Sequence, residues 1–184
     1  MPKYADEHIY HVYNRGAHRS AIFRKSAHYH RCMELIRKNS ERYHVSVLAY
    51  CLMPNHYHML VRQDLKGSIS RFLQTTFNAY VQYFNMMEKH SGTLFQGPAK
   101  SKHIDSNAQL MRCLAYIHTN PVRASLVRNV RDWEYSDYAV WAGDPEANLA
   151  SKHLRDFLIG SGKTYEAFVR AYLADAGDSE DWET

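Results

Sequence analysis

Cysteine is scarce in this chain of 184 residues, with only Cys32, Cys51 and Cys113. Their odd number, wide spacing and apolar contexts exclude a disulfide framework and a zinc knuckle, and leave them as core thiols. No apolar run approaches the roughly 20 residues that a membrane span needs. Residues Met1 to Glu7 also lack the apolar centre of a signal peptide, so a cytoplasmic protein with no membrane partner is expected. There is no internal repeat and no low-complexity tract. Acidic residues are thin in the first part: residues 1–131 carry 19 Lys and Arg against 7 Asp and Glu, a net +12. Residues 132–184 reverse this, with 4 against 12, a net −8. The first part has the balance of a polyanion-binding body, and the second does not.

What is present is a hydrophobic content of 45%, enough for an ordinary core in one domain with an extension. Basic residues interleave with aromatic ones, as in Tyr13-Asn14-Arg15, Arg71-Phe72 and Phe95 to Lys100. That mixture neutralises phosphates and stacks unpaired bases, although a solvated basic face around aromatic core residues gives the same pattern.

Periodicity divides the chain into alternating elements. His8 to Tyr13 reads as a strand closed by Asn14-Arg15-Gly16, and residues 27–43 repeat apolar positions at helical spacing. Val45 to Leu52 is a second strand, which Met53-Pro54-Asn55 turns directly into a third. Gly67-Ser68 opens an amphipathic helix from Ile69 to about Met87, and Ser91-Gly92 closes it. Thr93 to Gln96 and Lys100 to Ile104 are expected as further strands. Asp105 or Ser106 caps a helix from Asn107 to about Thr119, which Asn120-Pro121 is expected to stop. This order predicts an α+β sandwich, an antiparallel sheet covered by helices. Beyond about Val140 one further helix, Tyr165 to Leu173, and a frayed acidic end are expected.

The third strand carries His56-Tyr57-His58. Side chains alternate along a strand, so the two imidazoles leave one face while Tyr57, Met59 and Val61 leave the other toward a core. Two imidazoles on one face suit a metal ion, and they equally suit a surface or hydrogen-bonded pair in a chain with 12 histidines. His28-Tyr29-His30 repeats the tripeptide in a helical pattern, where positions i and i+2 lie about 200° apart and cannot share an ion. On the helix from Asn107, Tyr116 and Asn120 stand at i, i+4 and present a phenol and an amide together. His118 lies about 200° around that helix from Tyr116.

Met53-Pro-Asn-His-Tyr-His-Met-Leu60 followed by Tyr116-Ile-His-Thr-Asn-Pro-Val-Arg-Ala124 resembles the single-tyrosine HUH transposases of the IS200/IS605 type. Among these it is most similar to the REP-associated tyrosine transposases. Tyr13 to Gly16, Tyr83 to Asn85, Gly92 to Gln96 and Asp132 to Ser136 match in the same order. The resemblance implies a ferredoxin-like core, with residues 1–141 as the HUH domain and 142–184 as an acidic C-terminal appendage. It implies His56 and His58 as metal ligands, Asn120 completing the metal site, and Tyr116 as nucleophile. It implies a 5′-phosphotyrosine link with a free 3′-OH, and substrates that are hairpins flanked by single-stranded bases. Relatives include monomers working in cis and homodimers with exchanged sites, and both arrangements stay open. The segment Leu94 to Ala99 departs from the family, where Trp and a basic residue are common.

The residue types suit that chemistry. A tyrosine hydroxyl with a pKa near 10 is a poor nucleophile at neutral pH and needs an adjacent cation. A divalent ion held by two imidazoles and an amide oxygen would polarise the scissile phosphate; such mixed ligation admits Mg²⁺ or Mn²⁺. Asn14, Arg15, Phe95, Gln96, Lys100, Lys102 and Arg123 are candidates for phosphate contact, stacking or base-edge bonding to DNA. The expected activity is metal-dependent nicking and strand transfer of single-stranded or hairpin DNA. The alternative is a hairpin-DNA- or RNA-binding module of the same fold that performs no chemistry.

Overall fold

The computed structural model describes residues 4–143, 149–175 and 182. Alternation produces four strands, β1 (Ile9–Arg15), β2 (Val45–Met53), β3 (His56–Gln63) and β4 (Lys100–Ile104). They form one sheet in the order β2-β3-β1-β4, with every neighbouring pair antiparallel. Helices α1 (Ser26–Arg42) and α2 (Ile69–Glu88) connect β1 to β2 and β3 to β4. A chain order β-α-β-β-α-β with this strand order is the split β-α-β arrangement of ferredoxin-like folds, so the expected α+β sandwich is found.

The register fixes which side chains share a face. Val12 stands opposite Met59, and Tyr13 stands opposite His58 on one side and Lys100 on the other. One face of the sheet presents Tyr10, Val12, Tyr57, Met59 and Val61 to a core shared with α1 and α2. Burying each of these large apolar side chains contributes roughly 1.5–3 kcal/mol, and a one-residue slip would turn all of them outward together. The histidine face is covered as well. Leu48, Cys51 and Leu60 pack there against Leu110, Cys113, Leu114 and Ile117 of α3 (Asn107–Arg123).

Helix starts follow the expected chemistry. The Ser68 hydroxyl accepts from the Arg71 amide to cap α2, and Ser106 does the same for Gln109 at α3. Helix α2 ends earlier than Ser91-Gly92, because Lys89 takes the left-handed conformation (φ 49°) and its amide bonds back to Asn85. Thr93 to Gln96 is not a strand; only Phe95 forms a single bridge, to Gly16. Gly16 itself passes so close to Ser20 that a β-carbon would stand 2.1 Å from its carbonyl oxygen. Pro121 lies inside α3 rather than stopping it. Side-chain bonds from Thr119 Oγ1 to the Ala115 carbonyl (2.7 Å) and from Asn120 Nδ2 to the Tyr116 carbonyl (3.0 Å) support the turn before the proline. The Ala124 amide resumes the ladder on Asn120.

After α3 come α4 (Tyr138–Trp141), α5 (Leu149–Ile159) and α6 (Gly162–Ala174), so two helices stand where one was expected beyond Val140. Tyr165 and Val169 of α6 are buried in the cluster that α3 builds on the sheet, and Trp141 donates from Nε1 to the Leu48 carbonyl at 3.2 Å. The expected acidic end lies outside the described residues except for Trp182. All three cysteines are buried, and no disulfide joins them. Among the described residues no helix is long and apolar enough to cross a membrane.

Candidate active site

The site forms where β1 and β3 run side by side beneath α3. His56 and His58 leave the same face of β3, and their rings lie 5.0 Å apart between centroids with planes at 82°. Two imidazoles that bind one ion through nitrogen at ordinary distances and angles place their centroids roughly 4.5–5.5 Å apart. The pair therefore has the separation a shared ion requires. Asn55 Oδ1 lies 2.6 Å from His56 Nδ1, and His11 Nε2 lies 3.0 Å from His58 Nδ1. Both Nδ1 atoms are thus oriented by a neighbour, which assigns the Nε2 atoms to any ion. Among the described residues no three His, Cys, Asp or Glu side chains are grouped to hold a metal.

His11 is the member that motif reasoning missed. It is fully buried on β1, its ring stacks 5.1 Å from His58 and 5.0 Å from Tyr13, and burial pushes its pKa well below the usual histidine value, with His58 and Lys102 acting in the same direction. A neutral ring results, able to orient His58 without competing for charge. The signal was the alternation Ile9, His11, Tyr13, which acquires meaning only once β1 is known to pair with β3.

Tyr116 reaches this group from α3. Its ring stands edge-on to His58 with centroids 5.2 Å apart at 82°, and 6.1 Å from His11. The phenol is half-buried. Trp182 lies against the same cluster, 6.2 Å from the Tyr116 ring and 5.7 Å from His11, with Lys102 Nζ 4.7 Å above its ring. Asn120 follows one turn after Tyr116, nearly buried, with its amide nitrogen donating to the Tyr116 carbonyl.

A cavity of 610 Å³ opens beside the histidines, lined by His56 and His58 with Tyr13, Arg15, Gln96 and Lys100. Asn14 also lines it and fastens its wall, donating from Nδ2 to the Gly97 carbonyl at 3.0 Å while Oδ1 accepts from the Arg15 amide at 2.9 Å. Four of the seven candidate DNA contacts, Asn14, Arg15, Gln96 and Lys100, therefore gather here. The others do not. Lys102 covers Trp182, Phe95 is buried against Tyr57 and Phe77, and Arg123 is exposed at the end of α3 away from the cavity lining. His118 is separate: it is buried between Asp137 Oδ1, 3.0 Å from Nε2, and the Tyr165 hydroxyl at Nδ1. The repeated His28-Tyr29-His30 lies on α1, with His28 and Tyr29 buried and His30 exposed.

Residues 4–120 match the family model for IS200-like transposases. The chain belongs to that family. It is 24% identical over 133 residues to a protein of Haemophilus influenzae described as a REP-associated tyrosine transposase, a match covering 61% of this chain and 76% of that one. Its fold is similar to that of a REP-associated tyrosine transposase solved bound to a REP hairpin. That match has a TM-score of 0.62 at 18% identity and covers 82% of this chain and 94% of the other.

Proposed function

We propose that this IS200-like transposase nicks and rejoins single-stranded or hairpin DNA through a covalent link to Tyr116. The observation that carries the reading is the contact of the Tyr116 ring with His58 of the same chain, within the residues that match the IS200-like family. His56 and His58 would hold a divalent ion through their Nε2 atoms, with Asn120 as a candidate oxygen ligand. When bound, that ion polarises the scissile phosphate and lowers the charge the nucleophile must approach. Arg15 and Lys100 hold the adjoining phosphates in the cavity, and Gln96 supplies an amide for a base edge. His11 keeps His58 oriented.

The Tyr116 hydroxyl gives up its proton to solvent, its oxygen attacks phosphorus, and the bond from phosphorus to O3′ breaks. The 3′ oxygen leaves as a hydroxyl after taking up a proton, and the 5′ phosphate stays esterified to tyrosine. The phosphodiester count is unchanged, so a second 3′-OH can reverse the step and join a new end. Contact within one chain favours an active site assembled in cis, compatible with a monomer. The hairpin in the structural relative makes hairpin DNA the first substrate to test.

Another phenol, Tyr13, lines the cavity itself, whereas Tyr116 stands against His58 from α3 outside that lining. Tyr13 is 5.9 Å from His58 between ring centroids, whereas Tyr80 and Tyr83 lie on α2 across the sheet. The test is therefore the protein, Mn²⁺ and an end-labelled hairpin with single-stranded flanks, resolved under denaturing conditions. A DNA adduct is expected from the wild type and from Tyr13→Phe and is lost in Tyr116→Phe, which retains hairpin binding. An adduct that survives in Tyr116→Phe overturns the assignment of Tyr116. Hairpin binding with no adduct in any form leaves the binding module without chemistry.

A further inference from the structure

A second cavity, of 370 Å³, lies behind the wall of the first. Asn14, Gly97, Pro98 and Ala99 line both, so the segment 97–99 and the asparagine that fastens it form the partition. The histidine side is polar and basic; the far side is aromatic. Tyr57 and Phe77 stack there with centroids 4.2 Å apart and planes at 6°, and Phe95 closes the corner edge-on at 5.6 Å from Phe77. Leu73 of α2 adds apolar surface, while Gln74 and Asn78, one turn apart on the same helix, bring exposed amides to the rim.

Tyr57 is fully buried, and its hydroxyl has no hydrogen-bond partner among the described residues. A buried phenol that loses water normally finds a partner, since leaving the group unpaired is costly. This cavity therefore offers aromatic and apolar walls with two amides at its rim, and the unpaired Tyr57 hydroxyl is buried behind them. An aliphatic occupant would leave both amides unused. A flat heteroaromatic ring with donors and acceptors on its edge uses both.

We infer that this cavity receives one unpaired nucleobase of the DNA strand whose phosphate lies at the His56–His58 pair. The inference rests on the function proposed above and names a base-reading site for it. The backbone passes over segment 97–99, which leaves the phosphate on the basic side and turns the base into the aromatic side. Gln74 and Asn78 read the base edge, and Phe77 and Phe95 supply the apolar surface. Phe95 thereby serves the DNA from the side of the partition opposite the histidines.

The experiment measures binding in the absence of metal, so that it is independent of cleavage. A fluorescein-labelled hairpin with single-stranded flanks is titrated with the full chain, with an abasic residue placed at each flanking position in turn. One position is expected to weaken binding about tenfold or more, the scale of losing one seated base. That penalty disappears in Leu73→Trp, which fills the cavity, and shrinks in Asn78→Leu, a surface change that leaves the core intact. Equal penalties at all flanking positions, or a position-specific penalty that both variants retain, overturn the inference. Failure of the phosphotyrosine chemistry would appear separately, as intact hairpin binding without any adduct.

Discussion

The Tyr116 ring stands edge-on to that of His58, with 5.2 Å between centroids and planes at 82°. One residue is held by a strand whose opposite face is locked into the core, and the other by a helix packed across that strand. The relationship is therefore a property of the packed sheet and helix, not of a mobile loop.

The first prediction concerns the imidazoles. His56→Ala and His58→Ala should each abolish Mn²⁺ binding measured by calorimetry and remove the adduct, while hairpin affinity changes little. His11→Gln removes the ring that orients His58 and should weaken Mn²⁺ by roughly 10–100-fold, as changes in the partners of metal-bound histidines do. Tight metal binding in the double variant His56→Ala/His58→Ala would place the ion elsewhere.

A second prediction concerns the buried group behind α3. Asp137 Oδ1, a carboxylate oxygen, accepts, so His118 Nε2–H donates to it, and the hydroxyl of Tyr165, whose proton burial retains, donates to His118 Nδ1. Asp137 Oδ1 also accepts from the Tyr50 amide at 2.7 Å, tying the segment after α3 to the edge of β2. Asp137→Ala leaves two donors unpartnered and should cost about 2–5 kcal/mol in urea denaturation. Asp137→Asn, which keeps an acceptor for Tyr50, should cost less. Equal stability of the alanine variant and the wild type would refute this account.

The third is a dependence on pH. Burial lowers the His28 pKa below its ordinary 6.5; nearby Glu88 opposes the shift and Lys25 and Arg24 reinforce it. The unfolded chain takes up a proton near pH 6.5 that folded His28 refuses, so stability falls as pH drops below that value. Glu88 is shifted down by its hydrogen bonds to Lys25 and Arg24, so its contribution holds above pH 4.5 and is lost below it. His28→Asn keeps an acceptor near the position of Nδ1, which receives the Arg24 amide at 3.1 Å. Its denaturation midpoint should fall less steeply between pH 6.5 and 5 than that of the wild type. Identical slopes would show that His28 does not govern this range. His11, also shifted down, contributes a remaining slope of the same sign.

Much of this protein was legible in one dimension because the relevant forces are local. Alternation at His56, Tyr57 and His58 sets their faces whatever lies beyond, and Ser68 and Ser106 cap their helices through bonds to residues three positions on. Pro121 was misread because the bias against helix before proline is a local preference of modest size. It is outweighed by the buried face of α3 and by the side-chain bonds of Thr119 and Asn120. The segment Thr93–Gln96 has strand composition but gains a single bridge at Phe95, so composition alone did not give it a ladder.

The amino-acid order by itself determined strands β1 to β4, helices α1 to α3, the paired imidazoles and the helical placing of Tyr116 and Asn120, since each depends on contacts a few residues long. Packing decided what these groups meet. It set β1 beside β3, which brought His11 and Tyr13 to His58 from more than 40 residues away, and it laid α3 over that strand. It sent Phe95 to the far side of the 97–99 partition and His118 into a bond with Asp137. Those placements follow from burying two faces of one sheet at once, a constraint that acts between distant segments and leaves no periodic trace in either.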